Sequence, residues 1–390
     1  MADLQDDAAT ATAVGTLEAD LAHISPLPSD TPAPVPPASA PPPSPSPPDP
    51  LARARELLAL HPVVDGHNGL AHAVRSVPWC DLELGEESLD TDVPRLRAGG
   101  VGAQFWSLQV PADHLGDRAV SGTLDRIDLV GALVAQYPEA LRLAHGSAEM
   151  SQARNCGRVA ALLGPVSGHA LDESLGTLRA FHALGVRSIT LAGTRWTEGE
   201  DGLTRFGQEV VREMNRLGIL ADLTGASPGT MRRTLTVAKA PVVFSHSAAR
   251  GLTDHPWNVP DDVLRMLRDN NGICMVSFAA DQVARPHAEA TIHDVADHLD
   301  RVRDLAGPDC VGLGAAYDTG TEHATTLTDV SGYPHLIAEL LDRDWTESEI
   351  AGLTWGNAAR VMREAEFTGR ATRLRRPPST ATIEELDAVG

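Results

Sequence analysis

From Leu51 onward, short apolar runs alternate with longer amphipathic stretches. The apolar runs predict strands at 63–65, 101–108, 158–164, 186–191, 219–223, 241–244, 273–278 and 310–314. Between them, apolar residues at helical spacing predict helices over 51–60, 89–98, 124–137, 174–184, 206–217, near Thr230, and over 261–268 and 292–305. Phe206, Val210, Met214 and Leu217 form the clearest such stripe. Gly99-Gly100, Gly185 and Gly218 supply the punctuation expected at helix C-termini. Three further helices fall near 334–341, 347–353 and 357–365, and Thr346-Glu347-Ser348-Glu349 caps the middle one. Eight strands separated by helices match an α/β chain folded as a (β/α)8 TIM-type barrel, here with extra C-terminal helices. A doubly wound open sheet is the competing arrangement. No Gly-x-Gly-x-x-Gly follows the first strand, which counts against a dinucleotide site.

Residues 1–50 break this rhythm. Pro, Ser and Ala dominate from Ser25 to Pro50, a composition that cannot build a packed core. Two parts are expected: a disordered Pro-rich leader over 1–50 and a barrel domain over 51–390. A partner that reads the prolines is conceivable, and a solubilising tether is the plainer reading. The net charge of -21 excludes a nucleic-acid partner in practice, because nothing would neutralise phosphates. Lys239 is the sole lysine, which reflects coding bias more than physics. The cysteines, Cys80, Cys156, Cys274 and Cys310, lack metal or redox spacing and read as small apolar residues. The acidic N-terminus has no apolar signal region, and no run is long enough to span a membrane. A reduced, cytoplasmic protein without membrane contact is the expectation.

In a barrel of this type chemistry belongs just past the C-terminal ends of the strands. The first strand ends in Val63-Val64-Asp65-Gly66-His67-Asn68-Gly69, an apolar run that turns abruptly polar. Later ends read Gly164-Pro165-Val166-Ser167-Gly168-His169, Thr190-Leu191-Ala192-Gly193-Thr194, Asp222-Leu223-Thr224-Gly225, Phe244-Ser245-His246-Ser247 and Gly314-Ala315-Ala316-Tyr317-Asp318. His67 and His246, with Asp65, Asp318 or Asp222 nearby, are candidate acid/base groups. His169 and His255 read as structural, and Glu198, Glu200 and Asp201 as a solvated loop, with a loop lining the pocket as the alternative. A serine-hydrolase elbow is absent.

From about Leu51 on, the chain resembles the renal (membrane) dipeptidase family of zinc peptidases, which use an amidohydrolase-type barrel. The segments that carry the resemblance include Val64-Asp65-Gly66-His67-Asn68 and Gly99-Gly100-Val101-Gly102-Ala103-Gln104-Phe105-Trp106-Ser107. Others are Val210-Val211-Arg212-Glu213-Met214-Asn215, Pro241-Val242-Val243-Phe244-Ser245-His246-Ser247, Asn258-Val259-Pro260-Asp261-Asp262 and Ser331-Gly332-Tyr333-Pro334. The resemblance implies two zinc ions bridged by one carboxylate, with an activated water between them. It also implies where the ligands belong, and most are replaced. His67 is kept, but Gly69 stands at an Asp position and Val166 at the bridging Glu. Gly193 stands at a substrate-contacting His and Gly225 at a metal-binding His, while His246 is kept. Trp257 replaces the Arg that grips the substrate carboxylate, and Ala316 replaces the catalytic Asp. Tyr317 and Asp318 follow it, the latter retained.

His67 and His246 are therefore vestigial ligand positions, and a catalytic zinc normally takes three protein ligands. The expected cofactor is none, with zinc as the alternative if unplaced residues complete a site. The expected function is a dipeptidase-like pseudoenzyme or repurposed metal-free enzyme that takes a small molecule in a roomier, less charged barrel mouth. An active metal-dependent dipeptidase is the alternative. The resemblance is also consistent with a homodimer.

Overall fold

The computed structural model describes residues 49–77, 79–199, 201–285 and 289–387. The leader expected over 1–50 lies outside the described residues up to position 48. Ten parallel strands make one sheet: β1 Val63–Asn68, β2 Val101–Trp106, β3 Leu141–Ala144, β4 Val159–Leu163, β5 Val166–Ser167, β6 Ser188–Thr190, β7 Leu220–Asp222, β8 Val243–Ser247, β9 Ile273–Val276 and β10 Val311–Leu313. Their order is β3-β4-β2-β1-β10-β9-β8-β7-β6-β5. A bridge between Leu163 and Val186, with the Arg187 N–H on the Leu163 carbonyl at 2.9 Å, joins the two ends into a ring. β4 and β5 form one interrupted side of that ring, and β3 lies outside it, paired with β4 from Val159 through Leu162. The ring then has the eight sides of a (β/α)8 barrel.

The strands form because their residues are apolar and buried on both faces, as parallel sheets under helices require. Inside the ring Val64, Phe105, Leu162, Val243, Ile273 and Met275 belong to one core cluster. Val361 and Met362 of the helix Asn357–Arg373 join that cluster and plug the N-terminal end of the barrel. Fully burying each such side chain contributes about 1.5–3 kcal/mol. With that end plugged, the C-terminal end is left for the site.

Several elements differ from the pattern-based expectation. β3 and the helix Ser147–Asn155 were not anticipated. Arg142 and Leu143 are only half-buried, because β3 sits outside the ring, so the segment lacks a continuous apolar run. The helix expected over 89–98 begins only at Val93. Asp92 is extended there and its carboxylate accepts the Arg95 N–H at 2.8 Å, which caps the helix late. The helix expected over 124–137 starts earlier, as Asp117–Gln136. The box at Thr346 and Glu349 does cap Glu347–Ala351, which runs through a π turn into Asn357–Arg373. All four cysteines are free, with Cys274 and Cys310 buried. No helix among the described residues is long and apolar enough to cross a membrane.

Candidate functional site

The barrel mouth holds two adjoining cavities of about 500 Å³ each. His67, His246, His255, Trp257, Gln282 and Ala316 line the first. Ser167, His169, Gly193, Glu198, Gly225 and Trp257 line the second. Gln109, His246 and Trp257 face both, so the indole stands as a partition between them. Gly225 packs beside it, and a Cβ there would meet the indole Nε1 at 3.4 Å, an ordinary contact. Trp257 crosses His246 edge-on at 5.8 Å between ring centres. The mouth has therefore not collapsed around its small residues; one indole divides it.

His67 at the end of β1 and His246 in β8 stack with ring centres 3.8 Å apart and planes 26° apart. Burial pushes His246 down to about 3. Burial, and then the neighbouring His246, hold His67 well below its usual range. Both rings are neutral at physiological pH, which lets them stack without repulsion.

Behind His246 lies a hydrogen-bonded hub. Asp222, fully buried at the end of β7, accepts the backbone N–H groups of Thr224 at 3.1 Å and Ser245 at 3.0 Å on Oδ1. Its Oδ2 accepts the hydroxyls of Thr190 at 2.8 Å and Ser245 at 2.9 Å. Ser245 Oγ also lies 2.9 Å from His246 Nδ1. A carboxylate only accepts, so the Ser245 proton points to Asp222 and its oxygen must accept from Nδ1–H. His246 is thereby fixed as the Nδ1–H tautomer with Nε2 free to accept a proton or a hydrogen bond. In Ser245→Ala this lock is gone. The ring ¹⁵N spectrum of His246 should change from a single Nδ1–H form to a mixture of tautomers, and a wild-type Nε2–H form would rule the lock out.

The other expected site residues fall behind or beside the mouth. Asp65 is fully buried and does not reach either cavity. It accepts the N–H of Ala315 at 3.0 Å, the N–H of His67 at 3.3 Å and the Gln104 amide at 3.1 Å, and burial pushes it up to about 7. Asp318 exchanges hydrogen bonds with Asp90, at 2.7 and 2.8 Å, and burial raises it to about 6. Val166 is buried and pairs with Ile189 across β5 and β6. Tyr317 is buried with its hydroxyl on the Leu327 carbonyl at 2.9 Å. Gly69 abuts the loop after β10, where a Cβ would sit 2.2 Å from the Asp318 carbonyl oxygen. Gly69, Val166, Asp222 and Tyr317 thus support the mouth without lining it, whereas Gly193, Gly225, Trp257 and Ala316 face it.

Gln109 and Gln282 were missed in the sequence, while Thr190 and Ser245 stood in the strand-end segments without being assigned a role. Glu198, expected in a solvated loop, is exposed yet lines the second cavity. His169 and His255, read as structural, also face the mouth. Among the described residues, no three His, Cys, Asp or Glu side chains gather as a metal would need.

Comparison with known proteins agrees with this architecture. The membrane dipeptidase profile, peptidase family M19, matches residues 51–376. Dipeptidase 3 of Macaca fascicularis is 41% identical over 344 residues, 84% of this chain and 70% of that protein. Dipeptidase verJ of Clonostachys rogersoniana is 37% identical over 346 residues, 81% of this chain and 87% of that protein. A solved metallopeptidase from Rhodobacter sphaeroides, liganded with a phosphinate mimic of the dipeptide L-Ala-D-Ala, superposes with a TM-score of 0.69. It is 25% identical and covers 78% of this chain and 99% of its own. With a family profile spanning most of its length and relatives near 40% identity, the chain belongs to the membrane dipeptidase family, peptidase family M19.

Proposed function

We propose that this chain is a dipeptidase-family barrel whose binuclear zinc site has degenerated, and that it binds a small molecule at its mouth or acts on one without metal. The observation that carries the proposal is the donor set. Of the strand ends around His67 and His246, those at Gly69, Val166, Gly225 and Ala316 offer no oxygen, nitrogen or sulfur side-chain donor. Two imidazoles stacked on each other do not make a zinc centre, which needs at least three protein ligands in a catalytic site. No step of a metal-dependent hydrolysis can therefore be assigned to these residues. Trp257 in place of a cation also removes the group that would pair with a dipeptide carboxylate. Two cavities of about 500 Å³ leave room for a ligand. His246 Nε2, backed by Ser245 and Asp222, is the group best placed to exchange a proton with it. The cytoplasmic setting expected from the sequence belongs to the same proposal.

Elemental analysis tests it directly. Protein purified without chelator should carry well below one zinc per chain, and dialysis against EDTA should leave its melting temperature unchanged. Stoichiometric zinc together with a chelator-induced fall in melting temperature would replace this reading with a working metallodipeptidase. With zinc absent, His246→Ala separates a binder from an enzyme once a ligand is in hand: loss of turnover with binding retained marks catalysis.

A further inference from the structure

The charge and hydrogen-bonding character of the mouth narrow what it takes. Among the described residues no arginine or lysine lines either cavity, while Glu198 borders one and Asp281 the other. Two side chains offer acceptors to the mouth. His246 can only accept at Nε2, because Nδ1–H is held by Ser245. The Thr190 hydroxyl donates to Asp222, so Gln109 must donate its Nε2 to Thr190 Oγ1 at 3.1 Å. That leaves the Gln109 carbonyl oxygen and the second N–H of its amide free. His255 Nδ1 accepts the Trp257 N–H at 3.2 Å, which puts its proton on the side of Asp281. Between these acceptors stands Trp257, 46% exposed, with a cavity on either side.

Resting on the metal-free reading above, we infer that the mouth recognises an organic cation bearing N–H donors, a primary ammonium or a guanidinium group, held against the Trp257 indole. An indole face attracts a cation through its quadrupole, and the attraction grows once water is displaced. The rim carboxylates add longer-range attraction that salt should weaken. The Gln109 carbonyl oxygen and His246 Nε2 match N–H donors and would be left unpaired by a carboxylate. The replacement of Arg by Trp at position 257 thus inverts the charge preference of the subsite rather than merely emptying it.

Three probes that share a ring and differ in head group test this: benzylammonium, benzyl alcohol and benzoate, titrated calorimetrically into the full-length protein after its zinc content is measured. Benzylammonium should bind best and benzoate worst. In Trp257→Leu the benzylammonium affinity should fall roughly tenfold. Glu198→Gln with Asp281→Asn, or added salt, should weaken it by a smaller factor while leaving benzyl alcohol unchanged. Circular dichroism and the melting temperature establish that each variant is folded. In zinc-free protein, no saturable benzylammonium binding at millimolar concentration, benzoate binding as tightly as the amine, or indifference to Trp257→Leu would each overturn the cation preference alone. Stoichiometric zinc in the same batch would overturn the metal-free reading and this inference with it.

Discussion

Replacing Asp222 by alanine is expected to lower the free energy of unfolding by roughly 4 kcal/mol. Four donors converge on this one buried carboxylate: the N–H groups of Thr224 and Ser245 and the hydroxyls of Thr190 and Ser245. Without it the two N–H groups at the ends of β7 and β8 are orphaned in a site closed to water, at about 1–3 kcal/mol each. The hydroxyls can turn elsewhere, so they add less. Thr190 stands at the end of β6, so the change would loosen three neighbouring sides of the barrel at once. Asp222→Asn should fall between, since its carbonyl oxygen can still take the two N–H groups. Urea denaturation measures both, and the His246 ring spectrum should lose its single tautomer in each. A loss below about 1 kcal/mol in the alanine variant would mean that the hub does not hold the strand ends together.

Gly69→Asp, which would place a carboxylate where the family resemblance implies one, is expected to destabilise by about 3 kcal/mol or more and to capture no zinc. The backbone is not the obstacle, for φ at Gly69 is -91° and any residue adopts it. Space is the obstacle: a Cβ would lie 2.2 Å from the Asp318 carbonyl oxygen and 2.7 Å from its carbon. Backbone cannot step aside as a flexible side chain can, so the whole turn after β10 would have to move. Gly193→Ala is the control with the opposite geometry, since φ there is +67° and nothing lies within 4 Å of the added carbon. It should cost only about 1 kcal/mol, all from the backbone. Thermal melts compare the two. A well-folded Gly69→Asp protein that takes up zinc would show that the surrounding loop still fits the ligand.

The barrel was legible because its strands are buried on both faces and so appear as unbroken apolar runs. β3 escaped notice for the same reason, since outside the ring it needs no such run, and its Arg142 is half-exposed. At the mouth, His67, His246, Gly225 and Trp257 could be picked out by position at strand ends. Their arrangement could not. Asp222 reaches His246 through Ser245, which sits on a neighbouring strand 23 residues away from it. Trp257 acts as a wall because the fold brings it against His246 and against Gly225, which is far from it in sequence. Glu198 read as loop surface because its own segment is polar, and it is the folded position of that segment that brings it to the cavity.

The shared indole wall also has a thermodynamic consequence. Two chambers that own the same face-to-face partition are not independent sites. A molecule that presses Trp257 toward one side changes the volume available on the other, and the resulting coupling free energy must be equal in both directions. A short ligand could therefore be helped or excluded by a second molecule next door without touching it. A longer ligand would have to pass around the ring edge and would feel both chambers at once. The Trp257 indole would in this way link two neighbouring compartments of the barrel mouth.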